Sequence, residues 1–289
     1  MIISKKTSLK NNKKKIYFSK MHGTGNDFVV INNIKNNNFF SNVTIKNLSN
    51  RNTGIGFDQF LLLENSKIKN IDFFYRIFNS NGKEVYQCGN GVRCIAKFIF
   101  IENVSSKKKI CVSTKKSIMF LEFFDKNNIK VNMGIPIFKN ELIPFQINQD
   151  KKKYFIQFNN KKIHFYVVSM GNPHCVILVK DINRIKIDII GKFFNENIYF
   201  PKGVNVNFVE IIDRNNIKLR VYERGVGETL SCGSGACASV AIGILNNFLN
   251  KTVRVSLKGG DLNILWNGEP YSLYMIGPAS MVYKGFFYL

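Results

Sequence analysis

The chain contains Cys88-Gly89-Asn90-Gly91-Val92-Arg93-Cys94 and, later, Cys232-Gly233-Ser234-Gly235-Ala236-Cys237, two similar stretches that each open a glycine-rich turn before an apolar segment. A glycine-rich turn that leads into a helix presents free backbone N–H groups and the positive end of the helix dipole, which together hold an anion. The same field lowers the pKa of a nearby thiol and favours the thiolate. A matched pair of such cysteines indicates two groups acting on opposite faces of one small molecule, and opposite-face proton transfer inverts a stereocentre.

The chain repeats itself around these two motifs. Four residues recur at the offset of 144 positions (232 minus 88) that separates the motifs: Arg76, Phe78, Asn79 and Glu84 correspond to Arg220, Tyr222, Glu223 and Glu228. The segment from Gly25 to Ile31 corresponds to the segment from Gly171 to Ile177 at an offset of 146 positions (171 minus 25). Because order and spacing are both kept, the sequence predicts two copies of one supersecondary plan, arranged as a pseudo-symmetric pair.

Each copy combines strands with one buried helix. The segments Ile71 to Phe78 and Lys218 to Tyr222 alternate β-branched or aromatic residues with polar ones, which is typical of strands. After the turns, Val92 to Ile101 and Ala236 to Leu249 are too continuously apolar for surface helices. The predicted fold class is therefore α+β, with two pseudo-symmetric domains, each made mainly of strands wrapped around a central helix.

Composition restricts the class of protein. The chain has 289 residues, of which 45% are hydrophobic, and a formal net charge of +23. That charge raises the possibility of a nucleic-acid partner, but the lysines are spread along the chain, which is more typical of a solvated surface. Residues 1–15 are rich in Lys and Asn and lack the apolar core of a secretory signal, so we expect a basic tail on a soluble, cytoplasmic protein without a membrane partner.

The cysteines indicate neither a disulfide scaffold nor a zinc site. Six cysteines are few for a chain of this length, and we expect them to be reduced in the cytosol. The spacings inside the two motifs do not match the two-to-four-residue gap of zinc knuckles, so no metal is predicted. We expect the other four cysteines to be small core residues: Cys94, Cys111, Cys175 and Cys237.

With these residues in hand, the chain resembles the diaminopimelate epimerase family from about Ile16 to Leu289. The resemblance is carried by seven blocks in order: Lys20 to Phe28, Gly56 to Gln59, Tyr75 to Asn79, Gln87 to Cys94, Ser169 to His174, Tyr222 to Gly225 and Cys232 to Ala238. It implies two α+β domains, residues 16–132 with 279–289 and residues 133–278, which face each other across a cleft that holds the active site. It further implies no cofactor and conversion of LL-diaminopimelate to the meso isomer, a step that feeds lysine and peptidoglycan synthesis.

The resemblance also assigns roles to the two cysteines. It implies that Cys88 acts as base toward the LL isomer and that Cys232 returns a proton from the other face, with the roles exchanged in reverse. Without an electron sink, the carbanion must be stabilised by the site itself, here by the backbone N–H groups of the two turns. Thiols suit this transfer because their ordinary pKa lies near operating pH, and one must be thiolate while the other is thiol. His174 and Glu223 resemble partners that adjust thiol protonation.

A further set of residues is expected to bind the amino-acid substrate. By the resemblance they are Asn26, Gln59, Asn79, Gly89, Asn90, Asn172, Asn205, Glu223, Arg224, Gly233 and Ser234. Arg224 suits a carboxylate and Glu223 suits an ammonium group. Two departures from the family pattern stand beside this set: Thr24 replaces a commonly apolar residue, and Val204 to Phe208 lacks the usual small residues around Asn205.

Two alternatives of other kinds remain open at the level of sequence. One is a related cofactor-independent racemase or isomerase acting on proline-like or other substrates, which needs the paired turns but not Glu223 and Arg224. The other is a basic nucleic-acid-binding protein, which rests on charge alone and predicts salt-dependent binding to oligonucleotides without turnover. The sequence also leaves open a homodimer.

Overall fold

The fold consists of many strands and four α-helices within the part of the chain that the structure describes. The computed structural model describes residues 14–85, 89–147 and 151–289. The elements are β1 (Lys15–Gly23), β2 (Asn26–Asn32), α1 (Asn42–Ser49), β3 (Gln59–Asn65), β4 (Phe73–Asn79), β5 (Glu84–Val85), α2 (Gly89–Ile101), β6 (Lys109–Ser113), β7 (Ile118–Phe123), β8 (Asn128–Asn132), β9 (Tyr154–Phe158), β10 (Lys161–Ser169), β11 (Pro173–Leu178), α3 (Ile187–Asn195), β12 (Asn205–Ile211), β13 (Asn216–Glu223), β14 (Gly227–Thr229), α4 (Gly233–Leu245), β15 (Thr252–Leu257), β16 (Gly260–Leu265), β17 (Tyr274–Pro278) and β18 (Ser280–Tyr288). Short 3-10 helices cover Asn140–Leu142 and Ile182–Arg184.

The strands of the first half, β1 to β8 with β18, follow one continuous path. β18 pairs antiparallel with β1, β1 with β2, and β2 runs parallel to β3. β3 pairs antiparallel with β4, β4 runs parallel to β6, and β6, β7 and β8 continue as an antiparallel meander. The crossovers between the parallel pairs hold α1 and α2, as parallel strands require.

The second half, β9 to β17, repeats that path element by element. β9 pairs with β10 as β18 pairs with β1, and β11 runs parallel to β12 across α3. β13 runs parallel to β15 across α4, and β16 and β17 complete the meander. The two halves join where β8 pairs antiparallel with β17. The predicted α+β fold with two pseudo-symmetric domains is confirmed.

Each half wraps its strands around one buried helix. Most of α2 and α4 is buried, including Ile95 and Val240, which are fully enclosed. The main core cluster contains residues of both helices and of strands from both halves, so the two halves share apolar packing. No helix among the described residues is long and apolar enough to cross a membrane.

The ends of the elements differ slightly from the sequence prediction. α2 and α4 begin at Gly89 and Gly233, so the glycine-rich turns are themselves the first helical turns. The second helix was predicted to reach Leu249, but α4 ends at Leu245 because Asn247 adopts a positive φ of 60° and turns the chain. After that turn, Leu249 packs back against Gly243.

The repeated arginine and glutamate residues form the same ion pair twice. In the first half, Arg76 Nε and Nη2 donate to the two carboxylate oxygens of Glu84 at 2.9 and 3.2 Å. In the second half, Arg220 makes the same two contacts with Glu228 at 2.6 and 2.9 Å. Each pair joins the long strand, β4 or β13, to the short strand that precedes the buried helix, so it fixes the approach to the glycine-rich turn.

Candidate active site

The first turns of α2 and α4 meet at the junction of the two halves. A methyl group placed on Gly89 would lie 3.7 Å from the Cα atom of Gly233, and both positions pack against the side chain of Met275. A methyl group on Gly233 would come within 3.0 Å of Met275 Sδ, so this position has little room for a side chain. The N-terminal ends of both buried helices thereby lie close together, and the positive ends of their dipoles make this region a suitable place for an anion.

Residues of the first half also contact the segment just before Cys232. The Thr24 hydroxyl lies 2.6 Å from the Ser231 hydroxyl, and Asn90 Nδ2 donates to the Ser231 carbonyl at 3.3 Å. Thr24, Ser231 and Asn90 are all buried. Thr24, which stood out as a departure from the family pattern, therefore forms a hydrogen bond between the two halves that an apolar residue cannot make.

Cys232 lies at the N-terminal end of α4, with only 5% of its surface exposed. Its Sγ atom lies 3.6 Å from the Ser234 hydroxyl. Burial, followed by the nearby Glu223 carboxylate, raises the pKa of the Cys232 thiol well above its ordinary value. The expectation that the helix terminus lowers this pKa is therefore wrong for Cys232, because desolvation of the thiolate outweighs the N–H groups of the turn.

Glu223 ends β13 and faces this thiol. Its Oε1 atom accepts a hydrogen bond of 2.6 Å from the Thr229 hydroxyl. Burial raises the pKa of the Glu223 carboxyl, while contacts with Thr229 and Cys232 act in the opposite direction. The protonation states of the Glu223 carboxyl and the Cys232 thiol are therefore coupled, because a negative charge on either group disfavours a negative charge on the other.

His174 is fully buried on β11 and bonds to two asparagines. Its Nε2 atom lies 3.0 Å from Asn172 Oδ1, and its Nδ1 atom lies 3.2 Å from Asn207 Nδ2. Burial lowers the pKa of His174 to about 3. The ring is therefore neutral near pH 7, and no hydrogen bond in the described residues joins it to Cys232. Because Cys88 lies outside the described residues, the role of His174 as a partner that adjusts thiol protonation stays a prediction. Toward α4 the ring contacts Asn172, whose Nδ2 donates to Ser234 at 3.4 Å.

Asn205 and Arg224 contact each other where β12 begins and β13 ends. Asn205 Nδ2 donates to the Pro173 carbonyl at 3.1 Å, and its Oδ1 atom accepts from the Arg224 backbone N–H at 3.0 Å. The Arg224 side chain is exposed, and its Nη1 atom donates to the Lys202 carbonyl at 3.0 Å. At this exposed position the Arg224 guanidinium is accessible to a carboxylate.

In the first half, Asn26 is oriented by a charged network. Asn26 Nδ2 donates to Asp58 Oδ2 at 2.8 Å, and Arg51 bridges Asp58 and Asp27 with contacts of 2.8 to 2.9 Å. Lys20 donates to Asp27 at 2.6 Å. The Asp58 charge also contributes to raising the pKa of Glu223 in the second half, after burial of that carboxyl.

Gln59 and Asn79 lie side by side at the ends of β3 and β4. Gln59 Nε2 donates to Asn79 Oδ1 at 2.9 Å, and the two residues are direct neighbours in the strand register. In the repeat, Asn79 corresponds to Glu223, and the strand registers make Gln59 the counterpart of Asn205. The polar residues predicted for the site thus occupy matching strand ends in both halves.

One buried cation near the site was not predicted. Arg93 is fully buried in α2, and its guanidinium donates to Gly89 and Pro278 carbonyls at 3.2 and 3.1 Å and to Asn90 Oδ1 at 3.0 Å. It also donates to the Thr24 hydroxyl at 3.3 Å. Arg93 therefore braces the first turn of α2 from behind. The position of Arg93 inside the first cysteine motif could have indicated a role at the site. The pattern of a helix alone predicts that an arginine lies on the surface.

The structure brings most of the predicted set to one place. Asn172, Ser234, Cys232 and Glu223 form one group around the start of α4, and Gly89, Asn90 and Gly233 form the contact between the two turns. A second group makes its contacts at or next to strand ends: Asn26, Gln59, Asn79, Asn205 and Arg224. Cys88 lies outside the described residues, and its role stays a prediction. The other four cysteines are buried, as expected.

Two glycine-rich helix starts that meet, a buried thiol on one of them and a carboxyl group beside that thiol are the kind of site that an epimerase needs. Solved structures share the fold: a PhzF-family phenazine biosynthesis protein from Bacillus anthracis has a TM-score of 0.71 at 14% identity and covers 95% of this chain and 99% of its own. A hydroxyproline epimerase from Agrobacterium vitis has a TM-score of 0.70 at 12% identity, covering 96% and 93%. At these identities the comparison shows the fold alone.

Sequence comparison then gives the family. The diaminopimelate epimerase family matches residues 18–139 and 166–282. Diaminopimelate epimerases of Buchnera aphidicola subsp. Acyrthosiphon pisum (strain APS) and subsp. Baizongia pistaciae (strain Bp) are each 52% identical, over 96% and 95% of this chain and 98% and 96% of their own length. The chain belongs to the diaminopimelate epimerase family and is an epimerase.

Proposed function

We propose that this epimerase converts LL-2,6-diaminopimelate to the meso isomer by proton transfer between two thiols, without a cofactor. The observation that carries the proposal is the meeting of the two glycine-rich turns, where a methyl group on Gly89 would lie 3.7 Å from Gly233 Cα. Two helix N-termini directed at one region can hold the carboxylate of the reacting carbon and stabilise the charge that grows on it.

The chemistry balances with one thiolate and one thiol. The Cys88 thiolate removes the α-proton of the LL isomer, and the Cys232 thiol gives its proton to the opposite face of the same carbon. The products are the meso isomer, a Cys88 thiol and a Cys232 thiolate, and the reverse reaction restores the first state. The raised pKa of Cys232 supports its role as the proton donor in the resting enzyme, because the group is then protonated at neutral pH.

The asymmetry between the halves supports recognition of the distal end of the substrate. Matching residues such as Gly89 and Gly233 surround the reacting carbon in both halves, but Glu223 corresponds to Asn79 in the repeat. One half therefore carries a carboxyl group, followed by the Arg224 guanidinium, where the other carries an amide. An acidic group and a cation can bind the ammonium and carboxylate groups at the distal end of the substrate and select one configuration at that stereocentre.

The proposal extends to the setting of the enzyme. We propose that it works in the cytoplasm, in the synthesis of lysine and of peptidoglycan precursors, as its family resemblance implies. A homodimer and the lack of a specific nucleic-acid partner stay predictions. Salt-dependent binding to oligonucleotides at physiological ionic strength would contradict the prediction that there is no specific nucleic-acid partner.

The direct test is incubation of LL-diaminopimelate with the enzyme in deuterated water. The two-thiol mechanism predicts α-deuterium in the newly formed meso isomer and little in the recovered substrate at early times. Cys232→Ala and Cys88→Ala should each abolish interconversion while the fold, checked by circular dichroism, is kept. Turnover of trans-4-hydroxy-L-proline or L-proline, but not of diaminopimelate, is the outcome that favours the other racemases. Full activity in either alanine variant contradicts the two-thiol mechanism.

A further inference from the structure

Asn207 is a fully buried residue of β12 whose amide orientation is set by its surroundings. Its Nδ2 atom lies 2.9 Å from the Cys175 carbonyl and 3.4 Å from the Asn205 carbonyl. Carbonyl oxygens only accept hydrogen bonds, so the amide nitrogen, and not the amide oxygen, must face them. The opposite end, Oδ1, packs against α4, where a methyl group on Gly235 would come within 2.4 Å of it.

This orientation decides which nitrogen of His174 carries the proton. Asn207 Nδ2 lies 3.2 Å from His174 Nδ1 and can only donate, so Nδ1 must accept through its lone pair. In a neutral imidazole the proton then sits on Nε2. His174 Nε2–H donates to Asn172 Oδ1 at 3.0 Å.

The tautomer in turn fixes the direction of Asn172. Because its Oδ1 atom accepts from the imidazole, its Nδ2 atom faces the other way, toward the Ser234 hydroxyl at 3.4 Å. That hydroxyl lies 3.6 Å from Cys232 Sγ. A chain of contacts thus leads from a residue in the core to the first turn of α4, where the site begins.

We propose that Asn207 is a positioning residue that holds His174 as the Nε2–H tautomer and thereby presents the amide N–H groups of Asn172 to the substrate. The contribution to substrate binding rests on the proposed function. Asn207 is fully buried, and among the described residues no hydrogen bond joins it to Cys232, so it acts on the site through His174 and Asn172. It also lies in the Val204 to Phe208 segment, where the sequence departs from the family pattern.

The first test reads the tautomer without substrate. In the full-length protein with ¹⁵N-labelled histidine, long-range ¹H–¹⁵N spectra should show His174 protonated on Nε2 alone around neutral pH; His174→Gln assigns its signals among the three histidines. In Asn207→Asp, the carboxylate accepts where the amide donated, and a proton should move to Nδ1. Asn207→Ala, which is smaller and places no charge in the core, should give a mixture of tautomers and serves if the aspartate variant does not fold.

The second test reads the effect on the substrate. In Asn207→Ala, KM for LL-diaminopimelate should rise by about tenfold, the cost of about one misplaced hydrogen bond, with a smaller change in kcat. Asn172→Ala should add little on top of Asn207→Ala, because both changes remove the same contact. The matched control is Asn195→Ala, which also removes an amide that donates to a backbone carbonyl, that of Val204 at 2.9 Å. In the part of the chain that the structure describes, Asn195 makes no hydrogen bond to His174.

The two tests separate the possible failures. A wild-type His174 that carries its proton on Nδ1 overturns the inference, whatever the activity, and so does an Asn207→Ala variant with an unchanged tautomer. A normal KM in a variant with a changed tautomer overturns the link to Asn172. If the wild-type protein shows the expected tautomer but does not turn over diaminopimelate, the proposed function fails while the assignment of His174 stands.

Discussion

Gly89 and Gly233 begin the two buried helices and face each other so closely that a methyl group on Gly89 would lie 3.7 Å from the Cα atom of Gly233. They are equivalent positions of the internal repeat, and the side chain of Met275 packs against both. The symmetry of the fold therefore brings the two helix N-termini together against the side chain of Met275.

Substituting alanine for either glycine should weaken substrate binding more than folding. A methyl group on Gly233 would meet Met275 Sδ at 3.0 Å, whereas one on Gly89 would meet Met275 Cε at 3.2 Å. Met275 is flexible and can shift, so we expect each variant to lose no more than about 2 kcal/mol of unfolding free energy. The kcat/KM for LL-diaminopimelate should fall sharply in both. Met275→Ala should restore part of the activity of Gly233→Ala, and no restoration contradicts the contact as the cause.

The Cys232 thiol should react slowly with alkylating reagents near neutral pH. Its pKa is raised by burial and then by the Glu223 carboxylate, so little thiolate is present. Glu223→Gln removes the negative charge but keeps an oxygen that can accept from Thr229, and it should increase the alkylation rate of Cys232 severalfold. The measurement is the pH-dependent rate of iodoacetamide labelling of the peptide containing Cys232, read by mass spectrometry. Glu196→Gln, an exposed carboxyl on the surface, is the control, and equal rates in all three proteins count against this electrostatic coupling.

His174 should make the protein sensitive to acid. Its pKa falls from 6.5 when unfolded to about 3 in the fold, so the unfolded state binds more protons between these values. Stability is therefore fully present above about pH 6.5 and is lost as pH falls toward 3, by about 2 to 3 kcal/mol at about pH 4.5. Urea unfolding of the wild type and of His174→Gln at about pH 7 and about pH 4.5 should show a smaller acid loss in the variant. His164→Gln, at an exposed position, should keep the wild-type loss.

Much of the fold could be predicted from the sequence because the repeat is local in each copy. The correspondence of Arg76 and Glu84 with Arg220 and Glu228 predicted two copies of one plan, and the structure contains the same ion pair in both copies. The apolar segments after the turns predicted both buried helices. The end of α4 was missed because the positive φ at Asn247 depends on one turn, not on hydrophobic pattern.

The candidate site was harder to predict where it depends on contacts across the whole chain. The bond between Thr24 and Ser231 joins residues 207 positions apart, and no local pattern announces it. The direction of the Cys232 pKa depends on how completely the thiol is buried, whereas the sequence shows only the helix terminus. From the sequence, Asn207 is one of several polar residues in a strand, and only the structure shows that its amide contacts His174.

Arg93 should matter for both stability and activity. Replacing it with Met leaves the buried Gly89 and Pro278 carbonyls and Asn90 Oδ1 without this donor, at a cost of about 3 kcal/mol for several unpaired acceptors. Because Gly89 and Asn90 form the first turn of α2, KM should rise as well. Lys97→Met removes a cation from the same helix that donates only to the Lys126 carbonyl near the surface, and it should cost less than about 1 kcal/mol. Equal unfolding free energies for the two variants in urea contradict a special role for Arg93.

The duplicated ion pairs should contribute unequally to stability although they are equivalent in the repeat. Each glutamate also binds a lysine, Lys115 to Glu84 at 2.5 Å and Lys258 to Glu228 at 2.9 Å. The arginine contacts are shorter in the second half. The largest effect on the pKa of Glu228 is the hydrogen bond from Arg220, which lowers it. The largest effect on the pKa of Glu84 is burial, which raises it and is outweighed by the contacts with Arg76 and Lys115. We expect Glu228→Gln to cost about 2 kcal/mol of unfolding free energy and Glu84→Gln about half as much.

The contributions of both ion pairs should depend on pH. Since both folded pKa values lie below the ordinary one of 4.5, the contributions are present above that pH and disappear as the carboxylates become protonated below it. Urea titrations of both variants should therefore approach the wild type in acid, and a difference that persists when both carboxylates are protonated contradicts an ionic origin.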